Sequence, residues 1–256
     1  MSIEFVTLEE AKRREGLRML VVNGVPSPWG EAAKGFFHMK GIDWVAVRMT
    51  YDDEAMKAWA PQLSAPVAVY GNERPRSGWA EILLLAERLS PSPALLPQNA
   101  VERALVFGLA HEICGEDGLG WSRRLQLVHW GLNGSGGFLE PIARYLAKKY
   151  GYRAEAAESL GARVRELLGM LAGRLKTQRS GGSSYYVGTS PSAVDVYSAT
   201  FMGLFAPLPD AHCKMDPATR AAFQSLDEET RATLDPILLE HRDQMYAHHL
   251  PLPLSL

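Results

Sequence analysis

The sequence predicts a small α/β domain followed by an all-helical one. Strand and helix signals alternate up to Leu89 in the order βαβ and then ββα. A segment with Pro91, Pro93 and Pro97 follows, too stiff for a helix and too broken for a strand. Beyond it the pattern is helical. A chain of 256 residues is long enough for two unequal domains. The boundaries fall as an N-terminal extension at 1–15, an α/β domain at 16–90, a linker at 91–98 and a helical domain at 99–256.

Thr7 stands three places before Glu10 in a polar stretch, a capping box that opens a short extra helix within residues 1–15. Leu17 to Val22 reads as a buried strand, ended by the turn residues from Asn23 to Pro28. A helix is expected from about Pro28 to Lys40, since proline loses nothing in a first turn and Gly41 suits the exit. From Asp43 to Met49 apolar residues alternate in strand period. Pro66 to Tyr70, a Gly71-Asn72 turn and Arg74 to Arg76 read as a hairpin, and a helix runs from about Gly78 to Leu89. In the second half, Ala157, Leu160, Val164, Leu167, Leu171 and Leu175 form one apolar stripe over Glu155 to Lys176.

Composition narrows the function. Lys plus Arg total 27 against 29 Asp plus Glu, a formal net charge of −2 with no long run of one sign, so nucleic acid and anionic membranes are poor partners. The charged N-terminus lacks an apolar signal core, and no span of about 18 apolar residues occurs, which points to the cytoplasm. Cys114 and Cys213 show neither CxxC nor ligand spacing, so no metal site is expected. The adjacent His248 and His249 read as solvated tail residues, and Asn133 to Gly137 as a flexible loop between helices.

Three residues could carry chemistry. Ser27 precedes a proline at a helix start, where orphan N–H groups and the helix dipole favour an anion; a thiol brought there would lose its proton more readily. The plainer reading is an N-cap. Pro66 opens a strand after Gln62-Leu63-Ser64-Ala65, and fits either a cis proline that turns the Ala65 backbone toward an extended peptide or an ordinary first strand position. Ser77 opens a helix whose N–H groups suit a carboxylate, or is itself a plain cap. Ser192 and Asp195, three apart ahead of an apolar run, read as a capping box with a structural role.

The βαβ then ββα order is that of a thioredoxin-like domain, and residues 17 to 205 resemble a cytosolic glutathione transferase. The segment SPWGEAAKGFFHMKGID is similar to the first helix of the omega and zeta classes, with serine where omega enzymes carry cysteine. The resemblance implies that Ser27 activates the glutathione thiol, with Trp29 in the same pocket. APV at Ala65 to Val67 is similar to the family's VPV and implies a cis Pro66 with backbone contacts from Ala65. PRS at Pro75 to Ser77 is similar to PES and implies Ser77 at the γ-glutamyl end. Arg76 departs from the usual Glu; facing the pocket, it would repel the γ-glutamyl ammonium by about 4 kcal/mol at 4 Å and an effective dielectric near 20. It could instead hold the carboxylate of a different ligand.

The expected activity is thus a glutathione-dependent transferase acting on a small apolar electrophile, with glutathione as cosubstrate and a homodimer as the assembly. Trp29, Phe107, His111 and Trp121 are the candidates for the electrophile site. Two alternatives stand beside it: a non-catalytic binding or structural protein with a pocket altered at Arg76, and a thiol transferase, which the absence of cysteine before Cys114 disfavours.

Overall fold

A computed structural model of the chain describes residues 3–50, 53–61 and 64–256. Its first part contains β1 (Glu4–Phe5), α1 (Leu8–Arg13), β2 (Leu17–Val21), α2 (Pro28–Met39), β3 (Trp44–Arg48), α3 (Glu54–Trp59), β4 (Val67–Tyr70) and α4 (Trp79–Leu89). The sheet order is β1-β3-β2-β4, with β2 parallel to β3 and antiparallel to β4. The central strand β2 is buried along its whole length, as a strand covered on both faces must be. Its side chains divide by the period of two: Leu17, Met19 and Val21 join the core shared with Phe36 and Phe37 of α2 and Leu83 of α4. Leu20 points the other way, into a smaller cluster with Ala11 of α1, Val47 and Met56 of α3.

The Thr7–Glu10 capping box is present, the Thr7 N–H donating to Glu10 Oε2 at 2.8 Å and Glu10 N–H to Thr7 Oγ1 at 3.2 Å. Two elements here escaped the sequence reading. Glu4–Phe5 forms a parallel edge strand on β3, too short to show a period. Helix α3 is only six residues long, and its cap, Asp53, accepts from the Met56 N–H at 3.0 Å. The expected hairpin after β4 is a single bridge, Ala68 to Arg76.

The remainder is helical: α5 (Ala100–Cys114), α6 (Leu119–Leu132), α7 (Glu140–Tyr150), α8 (Ala157–Ser180), α9 (Ala193–Phe201), α10 (Pro217–Gln224), α11 (Glu228–Thr233) and α12 (Pro236–His248). In the α8 stripe Leu160, Val164, Leu167, Leu171 and Leu175 are all buried, as their spacing requires. Every residue of α9 is buried because the helix lies between α2 and α12. Phe36 of α2 meets Tyr197 of α9 edge to face, with centroids 5.0 Å apart. The proline-rich connection is also anchored: Leu95 and Leu96 are buried, and the Leu95 carbonyl accepts from the Ala193 N–H at 2.8 Å.

The loop between α6 and α7 is held more closely than a flexible tether. A side chain at Gly137 would overlap the Leu127 carbonyl, and the Gly137 N–H donates to Ser225 Oγ at 3.3 Å. His249 likewise is not simply solvated, since its Nε2 lies 3.0 Å from the Tyr185 hydroxyl, while His248 is exposed.

Candidate functional site

Register sets side by side the strand ends that lead to the first two chemical candidates. Leu20 pairs with Val67, so the C-terminal end of β2, which leads to Ser27, adjoins the start of β4, which follows Pro66. The Ala65–Pro66 bond is cis. Gln62 and Leu63, which precede it, lie outside the described residues. Ser27 is the N-cap of α2 with Pro28 in the first helical position, but its hydroxyl makes no cap hydrogen bond. Helix entry is secured by the backbone instead, with the Ser27 N–H donating to Val25 O at 2.8 Å and the Glu31 N–H to Ser27 O at 2.8 Å. A half-buried hydroxyl at a positive helix end is thereby left out of the helix's own capping.

The third candidate sits one residue from where the sequence put it. Gly78, not Ser77, caps α4, because the helix is capped from within. The carboxylate of Glu81 reaches back to accept from the Gly78 N–H at 3.3 Å and from the Ser77 N–H. Arg74 Nη2 donates to Glu81 Oε1 at 2.6 Å, and this bond, with the two N–H groups, holds the Glu81 carboxyl below its ordinary pKa. Arg76 turns to a neighbour: its Nη2 donates to Glu73 Oε2 at 2.5 Å, and Arg88 donates to the same carboxylate at 2.7 Å. The charge that departs from the family pattern is therefore balanced locally.

Residues from the helical part close over this edge. Trp29, in the first turn of α2, donates its indole N–H to the Cys114 carbonyl at 3.0 Å and meets Phe201 edge to face at 4.7 Å. The Arg124 guanidinium lies 4.2 Å from the Trp29 ring and 4.4 Å from that of Tyr150. Trp121 meets Tyr150 edge to face at 5.4 Å. The Tyr150 hydroxyl shares a hydrogen bond with the Ser64 side chain, next to Ala65. Burial works to raise the pKa of this phenol, yet Arg124, the Ser64 bond and Lys149 together bring it below the ordinary tyrosine value.

The four electrophile candidates fall into two groups. Trp29 and Trp121 join the Arg124–Tyr150 wall. Phe107 and His111 of α5 stand around Trp79, each with centroids 6.4 Å from it, beside the start of α4. Sequence reasoning missed Ser64, Arg124 and Tyr150, which meet only through tertiary packing. The cysteines stand apart from chemistry: both Cys114 and Cys213 are buried, and burial pushes both thiols up. A cavity of about 1060 Å³ lies elsewhere, between the flank of α2, the strands and residues 251–255. Asp195 accepts from the Ser192 N–H at 2.8 Å and the Tyr186 N–H at 3.0 Å, and meets His241 Nε2 at 2.9 Å, a buried folding hub.

A thioredoxin-like α/β part followed by an all-helical part is the fold of the glutathione transferases, and solved structures bear this out. The chain is similar to a glutathione S-transferase of Methylobacterium radiotolerans in complex with glutathione sulfonate, at 18% identity and a TM-score of 0.61 over 94% of this chain and 97% of that one. It is similar to rice GST1 in complex with glutathione, at 19% identity and a TM-score of 0.59 over 94% of each chain. For glutathione transferase Omega 3C of Trametes versicolor the identity is 15% and the TM-score 0.53, over 88% of this chain and 91% of that one. No protein-family model matches the sequence, nor does any curated protein. The class of fold is thus a glutathione transferase's. Among the described residues no helix is long and apolar enough to cross a membrane.

Proposed function

We infer that the chain is a glutathione-dependent transferase in which Ser27 holds the thiol of glutathione as its thiolate for attack on a small apolar electrophile. One observation supports the reading: the Ser27 hydroxyl stands at the N-terminus of α2, outside the helix's own capping, and the chain reaches it from the end of β2 that pairs with the start of β4, just after Ala65 and cis Pro66. A hydroxyl donor and the helix dipole act together there on one sulfur, which favours the anion. The Ala65 backbone would pair with the cysteinyl part, and the N-terminus of α4 would face the γ-glutamyl end. The electrophile would enter between the two parts, along Trp29 and Trp121, with Phe107 and His111 at the α4 end. That Methylobacterium and rice proteins of this fold are solved with glutathione sulfonate and glutathione supports the choice of thiol. Division into domains at the proline-rich linker, a homodimer and the cytoplasm belong to the same reading. Thiol transfer through a cysteine of the chain is disfavoured by the burial of both thiols.

The test is calorimetric titration with glutathione, with Ser27→Ala run alongside. Binding at micromolar to low millimolar affinity with a thiolate absorbance that the variant lacks supports the reading. Absence of heat up to about 10 mM, a binding free energy weaker than about 3 kcal/mol, sinks it.

A further inference from the structure

We propose that the cavity of about 1060 Å³ on the flank of α2 is a second binding site, which takes a small organic cation with an apolar body, an arylalkyl amine in type, and pairs its ammonium with Glu31. The inference stands apart from the glutathione reading, since neither Ser27 nor Ala65 nor Pro66 lines this cavity.

The walls are parts that the fold fixes for other reasons. They are α2 with its loop into β3, the segment between α1 and β2, and residues 251–255. The last of these is tied down: the Leu254 N–H donates to the His212 carbonyl at 2.7 Å, and Lys34 Nζ donates to the Ser255 carbonyl at 2.6 Å. The space is therefore preformed, and its volume lies at the upper end of the roughly 300–1,000 Å³ of small-molecule sites. Its inner end carries a carboxylate whose bonding is incomplete. Glu31 and Lys34 are only 7% and 4% exposed. Glu31 gives Oε1 to Lys34 at 2.7 Å, while its Oε2 accepts no hydrogen bond among the described residues and is not sealed from solvent. Burial raises the pKa of this carboxyl because its charged form is short of water, so a cation donating to Oε2 supplies what the surroundings do not.

The walls and the mouth select the same chemistry. Phe37 and Trp44 both line the cavity, with centroids 5.7 Å apart, and give apolar surface for a ligand's body and ring faces for its charge. The two lining cations are already matched, Lys34 by Glu31 and Arg14 by Glu4 at 2.7 Å. Glu15 and Asp43 also line the cavity, are exposed, and have no ion-pair partner among the described residues. Negative charge is thus in excess. His38 adds no cation near neutrality, since burial holds its pKa below the ordinary histidine value. An anionic ligand would face Glu15, Asp43 and Glu31 together, and a neutral one would bring no charge to Oε2.

The experiment is calorimetric titration of the full chain at neutral pH with three probes of one body and different charge: phenethylamine, phenethyl alcohol and hydrocinnamate. The amine should bind one to one, and roughly tenfold more tightly than the alcohol, as one charge-assisted hydrogen bond requires. Glu31→Gln, which keeps an oxygen for Lys34, should weaken the amine by roughly tenfold, with a thermal melt to check the fold. The double variant Glu15→Gln with Asp43→Asn, at exposed positions, should weaken it by roughly two- to fivefold, and decides alone where Glu31→Gln does not fold. Saturating glutathione should leave amine binding unchanged. No amine binding up to about 10 mM overturns the proposal, as does alcohol or hydrocinnamate binding as tightly as the amine. Amine affinity that neither variant alters, or displacement of the amine by glutathione, overturns it too. The amine titration needs no glutathione, so a failure of the thiol-site reading is told apart from a failure of this one.

Discussion

The hydroxyl of Tyr150 shares a hydrogen bond with Ser64, tying the end of α7 to the segment that leads into cis Pro66. Arg124 extends the tie to Trp29, so the helical part reaches the first turn of α2 through one cation and two rings. Tyr150 should therefore ionise earlier than the tyrosines that burial holds up: Tyr152, Tyr185, Tyr186, Tyr197 and Tyr246. Following tyrosinate absorbance with pH, Tyr150→Phe should lose amplitude below the ordinary tyrosine range. Amplitude there equal to that of wild type would refute the electrostatic reading of this cluster.

Gly120 of α6 is the close-approach point behind that wall. A Cβ there would overlap the Phe201 ring and come within 3.0 Å of the Trp29 indole. Both are rigid aromatic groups, so neither yields as a flexible side chain would. Gly120→Ala should cost about 1–3 kcal/mol by overpacking, read from denaturant midpoints. Because Trp29 must shift, its fluorescence should change too; a variant of native stability and native emission contradicts the packing argument.

Local signals made much of this fold legible. A capping box needs only Thr7 and Glu10, a helix entry only Ser27 and Pro28, and the α8 stripe is a period within one segment. Ser77 was misplaced by one residue because a serine is the expected cap, although Gly78 and Glu81 have the capping-box interval. Helix α3 was within reach of simpler capping logic, since Asp53 is a preferred N-cap residue and Glu54 suits a first turn. Tyr150, Arg124 and Ser64 had no such signal. They come from different elements, and only the docking of the helical part onto the sheet edge gives them a common environment.

Asp195 was legible as a cap but its reach was not. Besides Ser192 it serves Tyr186 and His241, all of them buried. Asp195→Ala strips partners from two backbone N–H groups and an imidazole at once. Breaking a buried polar hub of this kind should cost about 3–5 kcal/mol. Urea unfolding of Asp195→Ala against Asp195→Asn checks it, the asparagine recovering part of the loss through its remaining carbonyl acceptor. A loss under about 1 kcal/mol, the size of an ordinary exposed cap, would show that the buried bonds contribute nothing.

Glu31 gives the pH dependence. It is buried in α2 with Lys34, Oε1 to Nζ at 2.7 Å, and Lys34 also donates to the Ser255 carbonyl at 2.6 Å. Burial raises the Glu31 pKa above 4.5, and the charge and hydrogen bond of Lys34 oppose this without reversing it. A carboxyl with a raised folded pKa binds its proton more tightly in the folded state than in the unfolded one. Stability from this group is therefore greatest at low pH and declines as pH rises from the unfolded value through the folded one. Urea unfolding across that window should show wild type losing stability relative to the double variant Glu31→Leu with Lys34→Met, which replaces both charges by apolar volume and keeps every other titrating group. The double variant should be neutral or more stable by about 1–4 kcal/mol at neutral pH, whereas Lys34→Met alone, leaving a buried carboxylate unpaired, should cost about 3–5 kcal/mol. If wild type and double variant respond to pH in parallel, Glu31 has an ordinary carboxylate's pKa and the assigned direction is wrong.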